Sequence, residues 1–148
     1  MNVVLFLALL LVCCGYSAAY GGAPERIAAA IIAAAVAATV VIGSIQFVTF
    51  QSAEIGIIVI DAVMAVALMG LALRANRYWP MAMTACVGVG LLGHTAVWAA
   101  PSIVPQVYAV FHAFSGYPAL LILAAGTYRH RRRLIHNGID RPWSFAQG

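Results

Sequence analysis

The sequence VYAVFHAFSGYPALLILAAGTYRHRRR, residues 107–133, decides the fold that we expect for this chain. Its first part is an apolar run without Asp, Glu, Lys or Arg, of about the 20 residues that an α-helix needs to span a bilayer. The run ends in a dense basic group formed by Arg129, Arg131, Arg132 and Arg133. Because basic segments strongly favour the cytoplasmic side of a membrane, the stretch predicts a spanning helix whose C-terminal end lies inside the cell.

The composition excludes an ordinary soluble domain. Of the 148 residues, 64% are hydrophobic and 8% are charged, whereas soluble domains carry about 25% charged residues. The formal net charge is +4, and all eight cations are arginines, five of which follow Tyr128. We therefore interpret the positive charge as a determinant of membrane orientation and a contact for anionic lipid headgroups, and we expect no nucleic-acid partner.

Four further apolar runs precede the quoted stretch and predict an all-α integral membrane bundle of five transmembrane helices. The runs cover residues 3–20, 27–47, 55–73 and 81–99. Arg26 lies in the first connection and Arg74 and Arg77 lie in the third, while the second and fourth connections have no arginine. Five crossings with the N-terminus outside place every arginine and the C-terminus on the cytoplasmic side.

A cleaved signal peptide is the alternative for the first run, because Ser17, Ala18 and Ala19 are small enough for signal peptidase. However, no Lys or Arg precedes the apolar run. Four crossings after cleavage would also place the C-terminal arginines outside. We therefore expect an uncleaved first helix, a transmembrane bundle over residues 1–128 and a basic, interfacial cytoplasmic tail over residues 129–148.

The second run is rich in alanine at helical spacing. Its alanines form two adjacent ribbons, the first with Ala29, Ala33 and Ala37 and the second with Ala30, Ala34 and Ala38. Small residues at this spacing allow helix backbones to approach closely in lipid. We expect the ribbons to pack within the bundle, and a dimerisation face is the alternative.

Asp61 is the most informative single residue for function, because a carboxylate at membrane depth is costly and is expected to face protein. It lies six residues after Ile55, the expected outer end of its helix, which corresponds to a depth of ~9 Å. His94 and His112 lie at depths of ~7–8 Å in the fourth and fifth runs by the same rise per residue. The three side chains therefore define a candidate polar site in the outer half of the membrane.

Three interpretations of this site remain open, and the one that we favour is a structural bond from Asp61 to a histidine or a hydroxyl. Alternatively, the three groups form a protonatable site for a proton relay, a small polar ligand or proton-coupled transport. In the third interpretation, His94 and His112 bind a metal ion or a b-type haem. We predict no cofactor, no metal and no catalytic residue, since the outer connections lack cations for haem propionates and no HExxH or GxxxxGKS motif is present.

The segments PERIAA, RANRYWP and TYRHRRRL, with the acid in the third run and the GH pair in the fourth, carry a resemblance to a known group. The chain resembles small alphaproteobacterial multi-pass membrane proteins over most of its length, and this resemblance implies no activity. We expect a multi-pass protein of the bacterial inner membrane with a non-enzymatic role. It would act as an accessory or scaffold subunit that packs against other integral membrane proteins or against itself.

Overall fold

The computed structural model describes residues 3–44, 50–99, 105–138 and 142–144, with the side chains of 3–44, 55–93, 115–138 and 142–144. The described chain forms five α-helices: α1 (Val3–Tyr20), α2 (Ala23–Ser44), α3 (Phe50–Arg74), α4 (Trp79–Ala99) and α5 (Pro105–Asn137). Outside these helices, the described backbone has a single antiparallel pairing, between Ala75 and Ser144. The predicted all-α class is confirmed for the described residues.

Among the described residues, three segments are long and apolar enough to cross a membrane. They are Val3–Tyr20, Ala23–Ser44 and Ile55–Arg74, with 18, 22 and 20 residues. A fourth apolar segment, Trp79–Gly93, is shorter. Helices of this length and composition are typical of membrane proteins, because a helix satisfies its backbone hydrogen bonds internally in a medium without water.

Two glycines make the tight connection between α1 and α2. The Gly21 N–H donates to the Ser17 carbonyl at 2.9 Å, and the Arg26 N–H donates to the Gly22 carbonyl at 3.1 Å. A methyl group added at Gly21 would collide with the Ser17 carbonyl oxygen and lie 2.7 Å from the Cβ of Glu25. The close approach therefore requires glycine at this turn, and it holds the start of α2 against the end of α1.

The helices form a closed ring, in which each helix packs against its neighbours in sequence and α1 packs against α5. Helix α2 also contacts α5 across the ring. Helices α1 and α5 run parallel, since the Phe6 ring lies against Gly116 and the Ser17 hydroxyl contacts that of Thr127. Five helices joined by four antiparallel connections leave the first and last helices in this parallel orientation.

Among the side chains that the structure describes, the buried core lies in the half of the bundle that carries the arginines. The largest fully buried apolar side chains are Leu68 from α3, Met83 from α4, and Leu120 and Leu123 from α5. Close packing of this kind holds helices together in lipid, where removal of water contributes little.

Helix α2 packs through a different face from the one that its alanine ribbons predicted. Ala28, Ala29 and Ile32 are buried, whereas four alanines of the two ribbons are exposed: Ala30, Ala33, Ala34 and Ala37. The short turn from α1 directs Glu25 inward, and Ala28 and Ile32 follow Glu25 at helical spacing. The expectation that both ribbons pack within the bundle is therefore wrong.

Helix α5 continues without a break through residue 128 and the arginine group to Asn137. Gly138 ends the helix with a φ of +70°, a conformation that favours glycine, and its N–H donates to the Leu134 carbonyl at 3.0 Å. Farther along, Trp143 packs against the core, and its carbonyl accepts a hydrogen bond from the Asn76 N–H at 2.7 Å. Trp143 and Ser144 thus lie against the turn between α3 and α4.

Candidate functional site

Seven described arginines lie at one end of the bundle, which we call the arginine-rich end: Arg26, Arg74, Arg77, Arg129, Arg131, Arg132 and Arg133. The turns between α1 and α2 and between α3 and α4 meet the C-terminal part of α5 there. Within this end, the guanidinium carbon of Arg131 lies 4.6 Å from the centroid of the Tyr20 ring, a cation–π contact between α5 and α1. Arg129, Arg131 and Arg132 are exposed and Arg133 is half-buried. Their predicted contact with anionic lipid stays a prediction.

A group of buried polar side chains, which we call the Glu25 cluster, lies where α1, α2 and α5 meet just inside the arginine-rich end. It consists of Ser17, Glu25 and Thr127, each with 0% of its surface exposed, and of the neighbouring His130. The Ser17 and Thr127 hydroxyl oxygens lie 2.8 Å apart, and the Thr127 hydroxyl donates to the Leu123 carbonyl at 3.0 Å. Because Thr127 has one hydroxyl hydrogen, Ser17 is the donor in the bond between the two hydroxyls.

Glu25 stands out because its buried carboxylate has no hydrogen-bond partner for either oxygen within the described part of the chain. A methyl group added at Gly22 would lie 3.1 Å from Glu25 Oε2, and 2.8 and 3.2 Å from Cε1 and Nδ1 of His130. Because Gly22 has no side chain, the imidazole of His130 and the carboxylate of Glu25 can lie in the space beside it. Burial of a carboxylate without a partner is costly, so Glu25 is an unusual choice for a purely structural position.

Sequence reasoning did not select Glu25, because an acid in the first turn of a helix is already accounted for by the helix dipole. The pair Gly21–Gly22, which ends three residues before this acid, was the available signal, since adjacent glycines permit close approach of another segment. Nothing in the sequence pattern identifies that segment as the part of α5 around His130. The Glu25 cluster is therefore a product of the tertiary arrangement.

A second polar site is a cavity of about 240 Å³ toward the end of the bundle opposite the arginines. All five helices contribute to its wall, and most of the lining side chains are apolar. Asp61, Ser115 and Thr39 are the polar residues of the described lining. The Thr39 hydroxyl donates to the Ala35 carbonyl at 3.0 Å, so its oxygen remains an acceptor toward the cavity.

The structure places Asp61 half-buried on the wall of this cavity. The backbones of His94 and His112 belong to α4 and α5, but their side chains lie outside the described residues. The predicted pairing of Asp61 with either histidine therefore stays a prediction. Cofactor binding by the two histidines stays open in the same way, and the visible absorption spectrum of the purified protein would test it.

The described residues contain no group of three or more His, Cys, Asp or Glu side chains that could hold a metal ion. No protein-family model matches the chain, and no curated protein or solved structure matches it either. A functional assignment therefore has to be argued from the structure itself. The three features that bear on it are the bundle surface, the Glu25 cluster and the cavity at Asp61.

Proposed function

We propose that the protein is a non-enzymatic accessory subunit of the bacterial inner membrane that packs laterally against another transmembrane helix. In this proposal all five helices cross the bilayer, the N-terminus is outside and the arginine-rich end is cytoplasmic. The collection of seven described arginines at one end supports this orientation, because arginine near helix ends is retained on the cytoplasmic side.

The sides of the bundle support lateral contact as the mode of interaction. Large apolar side chains are exposed on several helices, such as Leu11 on α1 and Val63 and Leu73 on α3, with exposed fractions of 72%, 63% and 73%. An apolar surface of this extent is stable against lipid tails or another membrane protein, and it would associate in water. The connection between α1 and α2 is two residues long, so this connection offers no soluble domain for recognition.

The observation that carries the proposal is an exposed alanine face on α2, formed by Ala30, Ala33, Ala34 and Ala37. The bundle leaves this face uncovered within its described part. Small side chains at this spacing let the backbone of a second helix approach closely. The dispersion contacts between the two helices are then stronger than those that lipid tails make with the same face. A transmembrane helix of a partner, or of a second copy, is therefore the occupant that the face fits.

Cysteine cross-linking in native membranes tests this proposal. Cys13, Cys14 and Cys86 would first be replaced by alanine, and a single cysteine would then be introduced on the alanine face by Ala33→Cys. Oxidation or a short thiol cross-linker should give one adduct of defined mass, which mass spectrometry identifies as a dimer or as a complex with another membrane protein.

Val63→Cys on α3 is the matched control. Val63 is exposed and lies eleven residues before the end of α3, while Ala33 lies ten residues after the start of α2, so the two positions have similar depth. We expect little adduct at Val63. Equal adduct at both positions, or adduct at neither, would contradict lateral packing through the alanine face.

A further inference from the structure

We infer that the cavity at Asp61 binds a small organic cation, an ammonium group attached to an apolar body. This inference goes beyond lateral packing, which needs no ligand. It rests on three properties of the cavity: its volume, its apolar wall and the chemistry of its polar residues.

The volume sets the size of the ligand. The cavity measures about 240 Å³, and an engineered apolar cavity of about 150 Å³ accommodates benzene. By this comparison, the cavity at Asp61 accommodates roughly ten non-hydrogen atoms. A ring with a short aminoalkyl chain has this size, whereas a haem or a phospholipid is far larger.

The wall requires an apolar body, and packing contacts within the protein hold part of it in place. The Phe6 ring packs edge-on against Tyr117, with 5.7 Å between the ring centroids and 88° between the planes. The same ring lies against Gly116, where an added methyl group would be 3.0 Å from it. Phe6 is therefore a fixed wall rather than a side chain that collapses into the space, and Leu120 with 1% exposure is equally fixed.

The polar residues require a donor on the ligand. The carboxylate of Asp61 accepts hydrogen bonds, and the Thr39 oxygen is an acceptor because its hydrogen is bonded to Ala35. Asp61 also interacts within the protein, and a carboxylate has about four acceptor positions on its two oxygens, so an ammonium group can bind beside an existing partner. An anionic ligand would be repelled by Asp61, and a neutral apolar ligand would desolvate the carboxylate without replacing its partners.

Binding of 2-phenylethylamine to the full chain in zwitterionic lipid nanodiscs tests the inference, with empty nanodiscs subtracted. Zwitterionic lipid is required because anionic headgroups would themselves attract the amine. We expect saturable binding of one molecule per chain. We also expect 2-phenylethanol, which has the same shape without charge, to bind at least about tenfold more weakly, and phenylacetate to show no binding.

Two variants locate the site. Asp61→Asn keeps the shape of the side chain and should weaken amine binding by at least about tenfold, because it removes the counter-charge. Ala35→Leu fills the cavity while leaving Asp61 in place and should abolish binding, with circular dichroism showing unchanged helix content. Binding that is not saturable, that is equal for the amine and the alcohol, or that survives both substitutions would overturn the inference.

Discussion

The Ser17 hydroxyl donates a hydrogen bond to the Thr127 hydroxyl across 2.8 Å, between residues 110 positions apart. Both side chains are completely buried. This bond joins α1 to α5, the one pair of neighbours in the ring that no turn connects, and the Thr127 hydroxyl in turn donates to the Leu123 carbonyl. Serine and threonine in membrane helices commonly bond to their own backbone, and here one such hydroxyl also serves as an acceptor between helices.

A double-mutant cycle with Ser17→Ala and Thr127→Val should measure this bond. We expect a coupling free energy of about 0.6 kcal/mol and at most about 1.7 kcal/mol, the range found for hydrogen bonds between membrane helices. Reversible unfolding in mixed detergent micelles provides the measurement. Ser44→Ala is the control, because that exposed hydroxyl donates to the Val40 carbonyl within α2. Additive effects of the two substitutions would show that the bond contributes nothing.

Two glycines on α4 should respond oppositely to alanine. An added methyl group at Gly88 would meet no described heavy atom of another helix within 4 Å, whereas at Gly90 it would lie 2.5 Å from Ser115 Oγ and 2.8 Å from Ser115 Cβ. Gly88→Ala should stabilise the protein by up to about 1 kcal/mol through helix propensity. Gly90→Ala should destabilise it by about 1–3 kcal/mol, because α4 and α5 must separate. Equal thermal stability of the two variants would contradict the close helix contact.

Replacing Glu25 by glutamine should increase stability. The carboxylate is buried without a hydrogen-bond partner in the described structure, so removal of its charge at constant shape should raise the free energy of unfolding by about 1 kcal/mol or more. His130→Gln, measured beside it, reports whether the neighbouring imidazole compensates the charge. A loss of stability in Glu25→Gln would instead reveal a stabilising partner of the carboxylate. A gain would mean that the natural residue is kept at the expense of stability.

The proposed orientation predicts the activity of alkaline phosphatase fusions, since this reporter is active only outside the cytoplasm. Fusions after Arg77 and after Gly148 should be inactive, and a fusion between Ser52 and Glu54 should be active, because the connections with arginine stay inside. An active fusion at Gly148 would exclude five crossings with the N-terminus outside.

The arginine group on α5 should be a major determinant of that orientation. Replacement of Arg131, Arg132 and Arg133 by glutamine should raise the activity of the fusion after Gly148, and it should weaken contact with anionic lipid by ~1 kcal/mol for each arginine near the surface. Substitution of Arg74 and Arg77 is the comparison and should have the smaller effect. If the triple variant keeps a single orientation and unchanged lipid binding, the group is not the dominant signal.

The sequence by itself determined the helical class, the approximate position of each helix and the grouping of the arginines. These properties are local, because the number of consecutive apolar residues sets whether a helix can span and the charge of each connection sets its preferred side. The end of the last helix was not evident from the apolar run, because α5 continues through the arginine group to Asn137, and the boundary between bundle and tail at residue 128 stays a prediction. Arginine is a good helix former, and a change from apolar to basic residues does not end a helix.

Only the tertiary structure decided which face of each helix is buried. Alanines surround α2 on several sides, so composition could not distinguish buried Ala28 from exposed Ala33. The two-residue turn to α1 fixed the rotation of α2, which buried Glu25 and brought it beside His130. The cavity at Asp61 likewise depends on five helices at once. Rotation and mutual position are set by contacts between residues distant in the chain, and no local pattern of hydrophobicity or charge encodes them.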